Sequence, residues 1–204
     1  MSAIVLMLCL SGVSSANLIT NGSFENGPVP PSYETLNDSS TAINGWTVEG
    51  SIDWIGGYWQ PSDGFRSIDL AGYHENGAVV SDPFATIIGQ TYLVEFDMAG
   101  NPDQSYDKSL VAASIDGSEN FFSFAQTGNT KTSMGWETKS FYFVANSESS
   151  KLRFGNVSSS ADEAWGAALD NVRVSAVPEP ATMLLLGAGL IGLAGFGRRK
   201  FKNK

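Results

Sequence analysis

Across the middle of this chain, apolar residues recur at every second position in short runs, and turn formers separate the runs. In Thr91–Met98, the residues Tyr92, Val94, Phe96 and Met98 share one parity. Phe141 and Phe143 repeat the pattern, Leu152 and Phe154 alternate with Lys151 and Arg153, and Val172 and Val174 alternate with Asn171 and Arg173. A period of two puts alternate side chains on opposite faces of a strand, so each run can bury one face. Leu18–Thr20, Trp46–Val48, Ile52–Ile55, Ser67–Leu70, Ala78–Val80, Ser109–Ile115 and Phe121–Phe124 are further expected strands. Gly56-Gly57, Asp63-Gly64, Asp82-Pro83, Gly100-Asn101-Pro102, Asp116-Gly117 and Gly128-Asn129 punctuate them. No long amphipathic helix interrupts the series. Many short strands with frequent turns predict an all-β fold, an antiparallel β-sandwich or jelly roll.

The ends differ from this body. Ile4–Leu10 is a short apolar run followed by small residues, with Ser14 and Ala16 suited to signal-peptidase cleavage between Ala16 and Asn17. Residues 1–16 are therefore expected to be a signal-peptide helix, although Met1-Ser2-Ala3 lacks the usual positive charge. At the other end, Val177-Pro178-Glu179-Pro180 precedes an apolar run from Ala181 to Phe196 and a basic tail over residues 197–204. Proline fixes the entry to that run. Its sixteen residues would span about 24 Å as a helix, slightly short for a bilayer core. A transmembrane helix with its basic end in the cytoplasm would leave residues 17–176 outside as one β-domain.

Removing the tail sharpens the charge. The whole chain carries −9, but five of its twelve basic residues lie in the last seven positions. The body keeps seven basic residues against twenty acids, a net charge near −13. Such a surface repels phosphate backbones and argues against nucleic-acid binding. The single cysteine, Cys9, lies in the expected signal peptide. The body thus has neither a disulfide framework nor a Cys nucleophile.

The order Val-Pro-Glu-Pro, apolar helix, Arg-rich end resembles the PEP-CTERM sorting signal, recognised by exosortase, a membrane cysteine protease-transpeptidase. The resemblance implies cleavage near Pro178-Glu179-Pro180. It also implies an inner-membrane intermediate and final delivery to the cell surface or extracellular matrix of a Gram-negative bacterium. The body has its own resemblance. It opens Asn17-Leu18-Ile19-Thr20-Asn21-Gly22-Ser23-Phe24-Glu25 and closes Leu169-Asp170-Asn171-Val172. Gly45-Trp46, Ser51-Ile52-Asp53-Trp54-Ile55 and Gly64-Phe65-Arg66-Ser67-Ile68-Asp69-Leu70 lie between. Together these resemble the choice-of-anchor C family, related to a plant cell-wall domain family and similar to galactose-binding-like jelly rolls and carbohydrate-binding modules. Extracellular location and polysaccharide contact are what this resemblance implies.

Candidate sites follow. Asp170 shares parity with Val172 and Val174 and is expected to point inward, where a carboxylate needs a partner. The resemblance implies a structural Ca²⁺ where the opening and closing motifs meet, with Glu25 and Asp170 as oxygen ligands and Asp69 as a further acid. The other reading is that Asp170 accepts turn amides and Glu25 is solvated. Trp54, Tyr58 and Trp59 form a Gly-flanked aromatic stretch that could pack on sugar C–H faces, with Asp53, Gln60 and Asp63 bonding hydroxyls. Trp46, Trp136 and Trp165 are expected in the core. Catalysis finds little support: His74 is the sole histidine, too few for a zinc site and without a triad pattern. The expected function is a non-enzymatic exported module of a biofilm-type matrix, with signal peptidase and exosortase as processing partners. It would bind or organise exopolysaccharide or cell-envelope glycans. A purely structural matrix protein is the alternative, and a glycan hydrolase a third.

Overall fold

A computed structural model of the chain describes residues 16–28, 32–73, 75–103, 108–157, 165–178 and 189. Its fifteen strands are β1 (Tyr33–Asn37), β2 (Trp46–Glu49), β3 (Ser51–Ile55), β4 (Ser67–Asp69), β5 (Ala71–Gly72), β6 (Glu75–Asn76), β7 (Ala78–Ser81), β8 (Phe84–Ala85), β9 (Thr91–Gly100), β10 (Lys108–Ile115), β11 (Ser118–Ala125), β12 (Glu137–Val144), β13 (Ser149–Ser150), β14 (Leu152–Asn156) and β15 (Ala167–Ala176). Six of them form one sheet in the order β1-β3-β4-β15-β9-β12, and five form a second in the order β11-β10-β14-β7-β2. Every pairing is antiparallel. The chain crosses repeatedly between the sheets, as a jelly-roll sandwich does.

The period-two pattern is spent on the space between the sheets. Phe96 of β9 meets Phe154 of β14 at 4.8 Å and Phe122 of β11 at 5.1 Å, both edge-on. Ile52, Trp54, Ile68, Val79, Val94, Met98, Val111 and Leu169 are fully buried in the same core. Burying each such side chain contributes roughly 1.5–3 kcal/mol.

The opening motif is a knot of turns over one end of this core. Asn21 takes a left-handed conformation and its side-chain amide bonds the carbonyls of Asn26 and Asn44, while its own carbonyl accepts the Trp46 indole N–H at 3.0 Å. The Gly22 carbonyl accepts the Val172 amide, and a Cβ at Gly22 would stand 2.0 Å from the Val172 oxygen, so only glycine lets the two motifs meet. Asn17 completes the junction, with its side chain spanning Val172 and Val174 of β15.

Ala16 and Asn17 are both exposed. The expected signal peptide up to residue 15 lies outside the described residues, as does His74. So do Glu179, Pro180 and the expected transmembrane helix apart from Gly189; Val177 and Pro178 follow directly on β15. No helix among the described residues is long and apolar enough to cross a membrane.

Candidate functional site

The six-stranded sheet has an unusual second face. Asp53 pairs with Asp69, Asp69 with Ala168, and Asp170 with Asp97, so all four aspartates project from the side opposite the core. Asp170 reaches that side because β15 carries a bulge between Asp170 and Arg173, with Asn171 at φ 51°. One extra residue reverses the parity on either side of it. The expectation that Asp170 points inward with Val172 and Val174 is thereby corrected; its burial comes from the long loop after β3 folding over it.

Carboxylates hold that loop down. Asp170 accepts the amides of Ser62 and Asp63 on one oxygen, at 2.8 and 2.9 Å, and that of Asn171 on the other at 2.7 Å. Glu25 accepts the amides of Phe65 and Arg66 at 2.7 and 2.8 Å. Asp97 accepts the hydroxyls of Ser62 and Thr138 and the side-chain amide of Asn171. Burial pushes Asp170 up to about 7 against its amide donors. Burial also acts to raise Asp97, but its hydrogen bonds and the Arg173 charge outweigh it and hold the carboxyl below the usual range. As arranged, these acids do not make a calcium shell. The groups aimed at Glu25 and Asp170 are N–H donors, which a cation would repel, and Asp69 belongs to another part of the sheet. Among the described residues no three acidic, His or Cys side chains converge on one point.

Beside the clamped loop lies a cavity of about 100 Å³. Its floor is Asp53, Ile55 and Asp69; its walls are Tyr33 from β1, Tyr58 and Trp59 from the loop, Asn101 and Asp103 after β9, and Trp165 before β15. Asp69 is 1% exposed and fully bonded: Asn101 donates to one oxygen at 2.7 Å, and the amides of Ala71 and Gly166 to the other. Gly166 is required there, since a Cβ would stand 2.6 Å from the carboxylate. Burial pushes Asp69 up to about 8, and Asp53 beside it adds to the rise. Asp53 is itself raised by burial, opposed by the Thr35 hydroxyl at 2.6 Å. Tyr58 donates its hydroxyl to Asp103 at 2.6 Å, stands edge-on to Tyr33, and carries Lys131 3.8 Å above its ring. Tyr33 is 49% and Trp165 37% exposed, so both rings face solvent at the mouth.

The cavity brings together four residues singled out from the sequence: Asp53, Tyr58, Trp59 and Asp69. It leaves out Glu25 and Asp170, which clamp the loop, and three of the expected sugar contacts. Trp54 is fully buried on the core face, its indole bonded to the Phe24 carbonyl, so it offers no platform. Gln60 is exposed and fixed through its backbone to Lys131 and Trp136. Asp63 accepts Ser23 in the clamped loop. Trp59 lines the wall but is 4% exposed and bonded to Ser67. Tyr33, Asn101, Asp103 and Trp165 were not foreseen. Trp165 in particular, expected in the core, supplies exposed ring surface; its neighbour Gly166, packed against a buried acid, was the available signal.

A family model described as "Protein of unknown function (DUF642)" matches residues 17–175, the whole β-domain. The chain belongs to the DUF642 family. Residues 176–200 match the PEP-CTERM protein-sorting motif, which marks an exported protein processed by exosortase. The DUF642 domain is similar to part of halomucin from Haloquadratum walsbyi, 32% identical over 193 residues, covering 87% of this chain and 2% of that protein. It is also similar to Protein DUF642 L-GALACTONO-1,4-LACTONE-RESPONSIVE GENE 2 of Arabidopsis thaliana, 24% identical over 186 residues, covering 82% of this chain and 48% of that one. The chain thus spans less than half the length of either curated relative. In fold, the DUF642 domain resembles a family 16 carbohydrate-binding module, with a TM-score of 0.50 at 15% identity over 78% of this chain and 99% of the module.

Proposed function

We propose that this protein is a non-catalytic surface or matrix module of the choice-of-anchor C type that binds exopolysaccharide or cell-envelope glycan. The cavity on the acid-bearing face of the six-stranded sheet would be the binding site. One observation carries the reading: exposed Tyr33 and Trp165 rings stand over a floor of half-buried and buried carboxyls with Asn101 beside them. Sugars offer just these two surfaces, C–H faces for rings and hydroxyls for fixed polar groups. The carbohydrate-binding-module fold and the sorting motif support the same reading.

A hydrolytic role fits the cavity less well. The acid most inclined to stay protonated, Asp69, is covered and bonded on both oxygens. A general acid must come within hydrogen-bond reach of its substrate. Binding of the β-domain to a panel of exopolysaccharides and envelope glycans is the test. Retention by at least one supports the proposal. No retention by any, with a matrix defect on deletion of the gene, would favour a purely structural role.

A further inference from the structure

We infer that the ligand of this cavity is cationic: an amino sugar with a free ammonium group, rather than a neutral or acidic sugar. The inference rests on the glycan-binding reading and names its substrate class.

The floor supplies the first reason. Asp53 and Asp69 are register partners on β3 and β4, so their carboxyls leave the sheet side by side. Asp69 is covered and bonded on both oxygens, so the carboxyl left to a ligand is that of Asp53. Among the described residues lining the cavity there is no Lys or Arg to offset it. Among the described residues, Asp53 accepts a hydrogen bond from the Thr35 hydroxyl alone. A half-buried carboxyl with one neutral partner, on the floor of an open cavity, is a site that a cation completes.

The rim supplies the second. Lys131 lies 3.8 Å over the Tyr58 ring and 2.9 Å from Asp103. That is an ammonium held between an aromatic face and a carboxylate, made from the chain's own residues. Tyr33 and Trp165, exposed at the mouth, line the same cavity as Asp53, so rings and a carboxyl meet there too. An ammonium on a sugar ring suits that lining, with the C–H face against the rings and the charge toward Asp53. The field of a body near −13 works in the same direction, attracting cationic polymers and repelling uronates.

The β-domain contains every core residue described, from Ile19 to Val174, and can be titrated by calorimetry on its own. The probes are a short glucosamine oligosaccharide, its fully N-acetylated counterpart and a galacturonate oligosaccharide, at low salt and below the amine pKa. The expected result is binding of the glucosamine oligomer about tenfold or more tighter than the acetylated one, with no uptake of galacturonate. Added salt and Asp53→Asn should each erase the preference, with the variant's melting midpoint showing that it is folded. Equal binding of the acetylated oligomer, or a preference that survives Asp53→Asn, would overturn the charge assignment and leave the glycan site standing. No binding of any of the three also overturns it. Failure across a broad glycan panel as well would remove the reading beneath.

Discussion

Single side chains in this molecule do two different jobs on the two faces of one strand. In β3, Trp54 fills the core and Asp53 opens on the cavity. Trp54→Ala should therefore cost roughly 3–5 kcal/mol in urea unfolding, the range for emptying a buried Trp site, and any loss of binding would follow from loss of fold. Asp170 is a clamp. Asp170→Ala strands the amides of Ser62, Asp63 and Asn171, so unfolding should show a loss of about 3 kcal/mol or more. Asp170→Asn, which keeps one acceptor oxygen, should lose less. Equal stability of both variants with the wild type would mean that the loop is not held by this carboxyl. At this scale the sequence displayed the right acids and aromatics but not their sides. The stretch from Trp54 to Trp59 looks like one platform, yet its first ring faces the core from a strand and its last is buried from the loop and bonded to Ser67.

Elements were legible where alternation was long. Thr91–Gly100 and Glu137–Val144 form strands around the expected runs, because several consecutive pairs commit one face to burial. Short or mixed runs were harder. Tyr33–Asn37 carries only Leu36 into the core, so nothing periodic announced the strand that brings Tyr33 to the cavity. Leu18–Thr20, expected as a strand, instead bonds β15 through Leu18 and enters the opening turns. The bulge in β15 is the decisive irregularity, since a one-residue insertion is invisible to parity counting. Asn171 holds it at positive φ with its amide on Asp97. Asn171→Val should lose roughly 1–2 kcal/mol from the left-handed backbone alone, and Asn171→Gly much less. A valine variant as stable as the glycine one would argue that the bulge does not persist in solution.

At the scale of the whole domain, the buried acids set the pH dependence. Asp69 at about 8 and Asp170 at about 7 both lie above the 3.8 of an ordinary aspartate. The native state therefore keeps protons that the unfolded chain releases, and stability is lost as pH rises through those values. The melting midpoint should be higher in mild acid than in mild alkali, until Asp97 and Asp103, held low, begin to protonate. Asp69→Asn should flatten the slope; a midpoint that climbs steadily from acid to alkali would contradict the assignment. Calcium offers a second whole-domain test. With amides occupying Glu25 and Asp170, melting with calcium and with chelator should agree. A rise with calcium that disappears in Glu25→Gln and Asp170→Asn would show that the loop rearranges to admit an ion.

The central claim, that the aromatic cavity beside the clamped loop is a glycan site, is tested most directly by affinity electrophoresis in gels containing exopolysaccharide. Wild-type β-domain would be compared with Trp165→Ala, at the mouth, and with Tyr142→Ala, an exposed ring on the far edge strand β12. The account predicts retardation of the wild type and of Tyr142→Ala, and a loss of about tenfold in affinity for Trp165→Ala at an unchanged melting midpoint. Retardation of Trp165→Ala equal to that of the wild type would place any glycan contact elsewhere on the domain and contradict the account.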